Sequence, residues 1–230
     1  MTENTQHKIC LRTVYSFFGP PGAGKGTVAR EAARRLGFKM VSTGDLLRAE
    51  VESGSALGQS IREIIARGGL VSDSLVTEVV FNVLHAASTE VIILDGYPRT
   101  RGQASVFACE LPKAFPSVEF KVVHFDLAYS EIRRRIAARL TCEKKTCQAT
   151  YSEQGQVSAV SNICDWCGGK LIRRQDDTET IVNGRLAEYD QHAQNLIEFY
   201  HQSGIEICRL DPLGKSEEAV FQLFVTQCAT

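Results

Sequence analysis

The sequence predicts an α/β protein with a parallel sheet flanked by helices. Three observations predict it. Short apolar runs rich in Val, Ile and Phe alternate with longer helical patterns, as strands buried on both faces do. A glycine-rich turn carrying Lys25 joins the first such run to the first helix. The chain has 230 residues, 43% hydrophobic and 23% charged, enough for one sizeable core of ordinary globular composition.

The elements follow in order. Residues 1–12 are polar and read as a flexible, tag-like lead. Strands are predicted at Val14–Phe18, Lys39–Val41, Val91–Leu94, Lys121–Phe125 and Glu206–Leu210. Helices are predicted at Lys25–Leu36, Asp73–Ala87, Arg101–Ala114, Ser130–Arg139, Thr178–Gln202 and Ser216–Thr226. Two stretches break the alternation. Asp45–Gly69 reads as helix on helix with no strand between, and Leu140–Leu171 has little helical periodicity and holds four cysteines. Both read as inserts on an α/β core. A formal net charge of −1 gives no global basic field, so a nucleic-acid partner is not expected and any anion must be held by local clusters. No apolar run approaches the roughly 20 residues that span a bilayer, and the lead lacks the apolar stretch of a signal peptide. A cytoplasmic monomer, with no membrane partner, is the expectation.

The phosphate loop is the sharpest motif. Gly19 to Lys25 has Walker A spacing, followed by Gly26 and Thr27. Its glycines let backbone N–H groups, those of Gly22, Ala23 and Gly24 among them, converge on phosphate oxygens, and the following helix points its positive end at the same anion. Lys25 adds a mobile charge for the transferred phosphate. The hydroxyl that usually follows the lysine directly is displaced to Thr27 by Gly26. Asp95, ending an apolar strand, is placed to hold Mg²⁺ through water.

Cys142-x₄-Cys147 and Cys164-x₂-Cys167, sixteen residues apart, have the spacing of a four-thiolate site. Structural Zn²⁺ is the expected occupant, with a disulfide or free thiols as alternatives. Leu140, Tyr151, Val157, Val160, Ile163, Trp166 and Leu171 would make only a thin core for this insert, so it needs a staple. Cys10, Cys109, Cys208 and Cys228 are scattered.

The chain resembles the adenylate kinases in four motifs, in order: Gly19 to Thr27 with its displaced threonine, Ser42-Thr43-Gly44-Asp45-Leu46-Leu47-Arg48, Asp95-Gly96-Tyr97-Pro98-Arg99-Thr100, and Arg174-Gln175-Asp176-Asp177 followed by Arg185. The resemblance implies a P-loop core with a five-stranded parallel sheet (13–41, 72–137 and 178–230), an AMP-binding insert at 42–71 and a lid at 138–177. It implies reversible phosphoryl transfer from ATP to AMP, giving two ADP, with Mg²⁺. Arg135 and Arg139, expected i, i+4 on one helix face, would act on ATP, Arg48 and Arg99 on the AMP phosphate, and Arg174 and Arg185 on both. Arginine suits these places because its guanidinium pairs bidentately with phosphate. Thr43 and Gln103 would read AMP, with Gly69, Leu70, Val71, Gly96, Tyr97 and Pro98 lining its pocket. Thr150 and Tyr151 resemble a lid pair that touches ATP, and Lys215 sits near the adenine-side loop, where Asp211-Pro212-Leu213-Gly214 departs from the usual turn. Some long-lid members carry cysteine lids, usually with two residues inside each pair, where the first pair here has four. Arg133 and Arg134 read as solvated. A kinase for UMP or CMP, a GTP-dependent AMP kinase, and an inactive zinc-binding module are the competing readings.

Overall fold

The computed structural model describes residues 11–66, 71–144, 147, 149–153, 157–174 and 177–229. Strands β1 (Thr13–Phe18), β2 (Lys39–Ser42), β3 (Val91–Asp95), β4 (Glu119–Phe125) and β8 (Ile207–Leu210) form a five-stranded sheet in the order β2-β3-β1-β4-β8. Every pairing in it is parallel. The predicted strands all lie here, with ends moved by one or two residues.

The sheet is buried because its residues alternate between two packed layers. Tyr15 and Phe17 of β1 face α1 (Lys25–Leu36) and α8 (Glu217–Gln227), meeting Val28, Ala29, Phe221 and Phe224. Val14, Ile92 and Leu94 face the other way, onto Val76 and Val80 of α4 (Asp73–His85) and Phe107 of α5 (Arg101–Ala114). The long α7 (Glu179–Gln202) covers the remainder of that side through Leu196 and Tyr200, which meet Phe18 and Val122. α4 and α5 begin at Ser72 and Thr100, whose side chains accept from Leu75 N–H and Gln103 N–H.

Both predicted inserts leave the sheet. The first is two helices, α2 (Thr43–Ser53) and α3 (Ala56–Ala66). The second is a small antiparallel sheet of β5 (Arg139–Cys142), β6 (Thr150–Ser152) and β7 (Leu171–Ile172), in the order β6-β5-β7. This corrects one expectation. α6 spans Tyr129–Ala137, so Arg139 stands on β5 and does not share a helix face with Arg135. The core of the second insert is also thinner than expected: Tyr151 and Leu171 are buried, whereas Val157 and Val160 are 65% and 61% exposed.

Two of the scattered cysteines are joined. Cys208 on β8 and Cys228 just after α8 form a disulfide across 20 residues of sequence. Among the described residues, no helix is long and apolar enough to cross a membrane.

Candidate active site

The cavity opens at the carboxyl end of the sheet beside the central strand, where α/β folds hold ligands. It encloses about 1200 Å³ and is lined by the phosphate loop, the end of β3, α6, α7, the α8 start and the second insert. A local field of cations faces it, although the whole chain carries a net charge of −1.

The phosphate loop is shaped by close approach. A side chain on Gly19, whose φ is 143°, would meet the Phe125 carbonyl oxygen at 2.5 Å. The loop ends on Gly24, which gives α1 no side-chain cap, and the first turn of α1 has no acidic residue. The helix start therefore turns its first N–H groups, those of Lys25 and Gly26, toward an anion, while Thr27 N–H donates to the Gly24 carbonyl at 3.1 Å. Lys25 Nζ donates to the carbonyls of Gly19 and Pro20 at 2.7 and 2.8 Å. Burial lowers its pKa to about 8, an effect the nearby Asp95 carboxylate opposes.

Gly26 stands between two charged side chains. A Cβ there would come within 3.0 Å of Asp95 Oδ2 and 3.3 Å of Arg30 Nη1. Both atoms end flexible side chains, which would have to give by only a few tenths of an ångström to admit a Cβ.

The predicted donor-side residues converge. Gly22, Ala23, Gly24, Lys25, Gly26 and Thr27 line the cavity with Arg135, Arg139, Thr150, Tyr151 and Lys215. Arg135 donates from Nε to Glu131 at 2.8 Å and from Nη2 to the Pro212 carbonyl at 2.7 Å. Arg139 makes two contacts with the Asp177 carboxylate, the one through Nε at 2.8 Å. Lys215 Nζ lies 3.7 Å from Asp211. Tyr151 turns its hydroxyl into the insert, accepting from Asp165 N–H at 2.8 Å beside Cys164 Sγ. Arg133 is exposed and pairs with Asn183; Arg134, also exposed and paired with Glu131, lines the cavity, which the sequence reading did not expect.

Asp95, Gly96, Pro98, Arg99, Arg174 and Arg185 line the same cavity. Arg99 Nε donates to the Gly96 carbonyl at 2.8 Å, and Arg174 Nε to Thr141 Oγ1 at 3.2 Å. Thr43, Val71, Tyr97 and Gln103 do not line it. Thr43 Oγ1 donates to the carbonyls of Asp95 and Gly96, at 3.2 and 3.1 Å. Gln103 accepts from Arg99 N–H at 2.8 Å through Oε1. Tyr97, which precedes a cis bond to Pro98, is 1% exposed, and its hydroxyl meets Thr77 Oγ1 at 2.7 Å. Thr43 and Gln103 brace the turn that presents Arg99. Gly69, Leu70 and the side chain of Arg48 lie outside the described residues.

Cys142, Cys147, Cys164 and Cys167 place their sulfurs within 4.8 Å of one another. Cys142 Sγ is 3.4 Å from Cys167 Sγ, and Cys147 Sγ is 3.7 Å from Cys164 Sγ. Four thiolates around one Zn²⁺ at 2.3 Å would stand about 3.8 Å apart, so the cluster fits a tetrahedral ion. No bond joins these four cysteines.

Sequence reasoning missed Arg30, Glu131 and Glu217, which also line the cavity. Glu131 was readable in retrospect: it stands i, i+4 to Arg135, within reach on one helix.

The matches to known proteins agree with this geometry. A family model described as "Adenylate kinase" matches residues 17–205. The chain is similar to the adenylate kinase of Methanosarcina barkeri, 38% identical over 82% of this chain and 86% of that one. It is 35% identical to the adenylate kinase of Methanococcoides burtonii over 93% of this chain and 95% of the other. For the adenylate kinase of Thermosipho melanesiensis the identity is 37%, over 81% and 86%.

Proposed function

The chain belongs to the adenylate kinase family, and on that premise we propose how its residues divide the work. The enzyme transfers the terminal phosphoryl group of ATP to AMP, reversibly, giving two ADP. The acceptor oxygen of AMP is an anion at neutral pH, so the site needs no general base. It needs positive charge, in-line placement and exclusion of water.

Residues 13–41, 72–137 and 178–230 form the core, 42–71 the AMP-binding insert and 138–177 the lid. The loop amides from Gly22 to Thr27 hold the donor phosphates, and Lys25 leaves the Gly19 and Pro20 carbonyls to follow the transferred group. Arg135 and Arg139 add charge on the ATP side, with Thr150, Tyr151 and Lys215 at the nucleotide. Arg139 exchanges the Asp177 carboxylate for phosphate. Arg48 and Arg99 take the AMP phosphate, and Arg174 and Arg185 bridge donor and acceptor. Gly69, Leu70, Val71, Gly96, Tyr97 and Pro98 shape the AMP pocket. Thr43 and Gln103 serve it by fixing the Asp95–Arg99 turn, leaving the amide nitrogen of Gln103 for the adenine edge.

Adenylate kinases use Mg²⁺ with ATP, and Asp95 fits as the carboxylate that would hold it. When bound, Mg²⁺ offsets charge on the transferring phosphates. Structural Zn²⁺ would be held by Cys142, Cys147, Cys164 and Cys167, and a saturated four-sulfur site leaves no open position for catalysis. The reading takes the protein as a monomer in the cytoplasm with no nucleic-acid or membrane partner.

The observation that carries this proposal is the convergence of Lys25, Arg99, Arg135, Arg139, Arg174 and Arg185 on one cavity. Coupled detection of ADP from ATP with AMP, UMP or CMP, and from GTP with AMP, tests it. Turnover with ATP and AMP should exceed every other pair. A preference for UMP or CMP would overturn the AMP assignment, and no turnover with any pair would overturn the division of labour.

A further inference from the structure

Helix α1 turns one face toward the second insert. Arg30 and Arg34 stand one turn apart on it, so their side chains share that face. Arg30 Nη2 donates to Thr150 Oγ1, at the start of β6, at 2.7 Å. The guanidinium carbon of Arg34 lies 5.9 Å from the centre of the Trp166 ring, within cation–π range. The two contacts reach opposite halves of the insert. Thr150 follows the first cysteine pair by three residues, and Trp166 lies between Cys164 and Cys167 of the second.

Each arginine is anchored on the core side. Arg30 Nη1 lies across Gly26 from Asp95 Oδ2; burial lowers its pKa, an effect that the charges of Asp95 and Glu217 oppose. Arg34 also pairs with Glu31 at 2.8 Å, but Glu31 keeps Arg35 at 2.5 Å as a second partner. Removing Arg34 therefore leaves the helix its own ion pair.

We propose that Arg30 and Arg34 form a two-point latch on α1 that positions the lid over the donor nucleotide, Arg30 through Thr150 and Arg34 through Trp166. Arg30 is a positioning residue: it acts on the donor through the lid it holds. This rests on reading 138–177 as the lid over ATP. A docked lid keeps water from the transferring phosphoryl group, so a loosened latch should show as weaker ATP use and as ATP hydrolysis without AMP.

Trp166 is the only tryptophan in the chain, so its emission reports this contact directly. The test uses the full chain with Mg²⁺ and diadenosine pentaphosphate, a mimic of both substrates at once. Trp166 emission should change as the mimic binds, and Arg34→Ala should lose most of that change while still binding it. Arg30→Met should raise KM for ATP about tenfold, with KM for AMP moved less than about twofold, and Arg30→Lys should recover part of the loss. Thr150→Val should reproduce Arg30→Met, and the double variant should be little worse than either. If Arg30→Met does not fold, Thr150→Val and Arg34→Ala carry the test alone.

An equal rise in both KM values, additive effects of Arg30→Met and Thr150→Val, or an emission change that survives Arg34→Ala would overturn the latch. Additivity would instead assign Arg30 to Asp95. Calorimetry keeps the two readings apart, because a wild-type chain that fails to bind diadenosine pentaphosphate overturns the nucleotide site itself.

Discussion

Lys25 is held by carbonyl oxygens in a half-buried place, and that combination sets a pH dependence. Its charge is present in the free enzyme below about 8, the value to which burial lowers it, and is lost as pH rises through that value. An ordinary lysine would keep the charge some two pH units further. The limiting slope should therefore appear in kcat/KM for ATP, which reports the free enzyme, with an apparent pKa near 8. Bound polyphosphate favours the cation, so kcat should hold to higher pH. A kcat/KM profile flat to pH 10 would contradict the burial argument. Lys25→Ala should lower turnover by about a thousandfold with the fold intact. Near-normal turnover in a folded variant would remove Lys25 from the mechanism. At this scale the motif residues were legible because their spacing is local. Arg30 was not, since its partner Thr150 is 120 residues away and nothing in α1 marks the arginine out from its neighbours. Thr43 and Gln103 were legible as motif positions, but their binding to the backbone of the Asp95–Arg99 turn depends on how β2 and α5 pack.

Among the elements, the strands were readable because burial on both faces leaves runs such as Val91-Ile92-Ile93-Leu94 with no polar interruption. The end of α6 was not. Arg139 continues the helical pattern of its neighbours, and only pairing with Ser152 across the small sheet draws it into a strand. The Cys208–Cys228 bond was equally hidden, because compartment arguments disfavour it and the two residues meet only when α8 packs beside β8. It closes a loop of 20 residues, which a chain-entropy estimate values at about 3 kcal/mol. Cys208→Ser with Cys228→Ser should lower Tm by roughly 6 to 12 °C in oxidised protein. An unchanged Tm would mean the bond adds nothing to stability. The lid makes the complementary case. Its buried apolar group is little more than Ala149, Tyr151, Leu171 and the buried cysteines, so metal affinity would appear directly as lid folding energy. Protein purified without chelator should carry about one zinc per chain. Cys164→Ser with Cys167→Ser should loosen the lid and lower catalysis only in part. Less than about a tenth of an equivalent of any metal, with four titrating thiols, would sink this assignment.

The molecule as a whole is a continuous sheet core from which the chain departs twice and returns. At the second departure the outgoing and returning strands are tied at a single neck. Arg139 pairs with Asp177, and Arg173 meets the Ala137 carbonyl. Solution scattering should show a more extended free protein than the complex with diadenosine pentaphosphate, since water exclusion requires closure. Identical profiles would contradict a moving lid. The neck has a consequence for the gene as well as for the protein. Because exit and re-entry are adjacent, residues 140–172 form a cassette whose replacement by a short glycine-containing turn leaves every strand of the main sheet in place. Such a trimmed chain should fold, keep the disulfide and bind AMP, yet transfer phosphate at least about a hundredfold more slowly, having lost Thr150 and Tyr151. Length variation between related genes would then concentrate at this one junction, with lids gained, lost or exchanged as units while the phosphate loop stayed untouched.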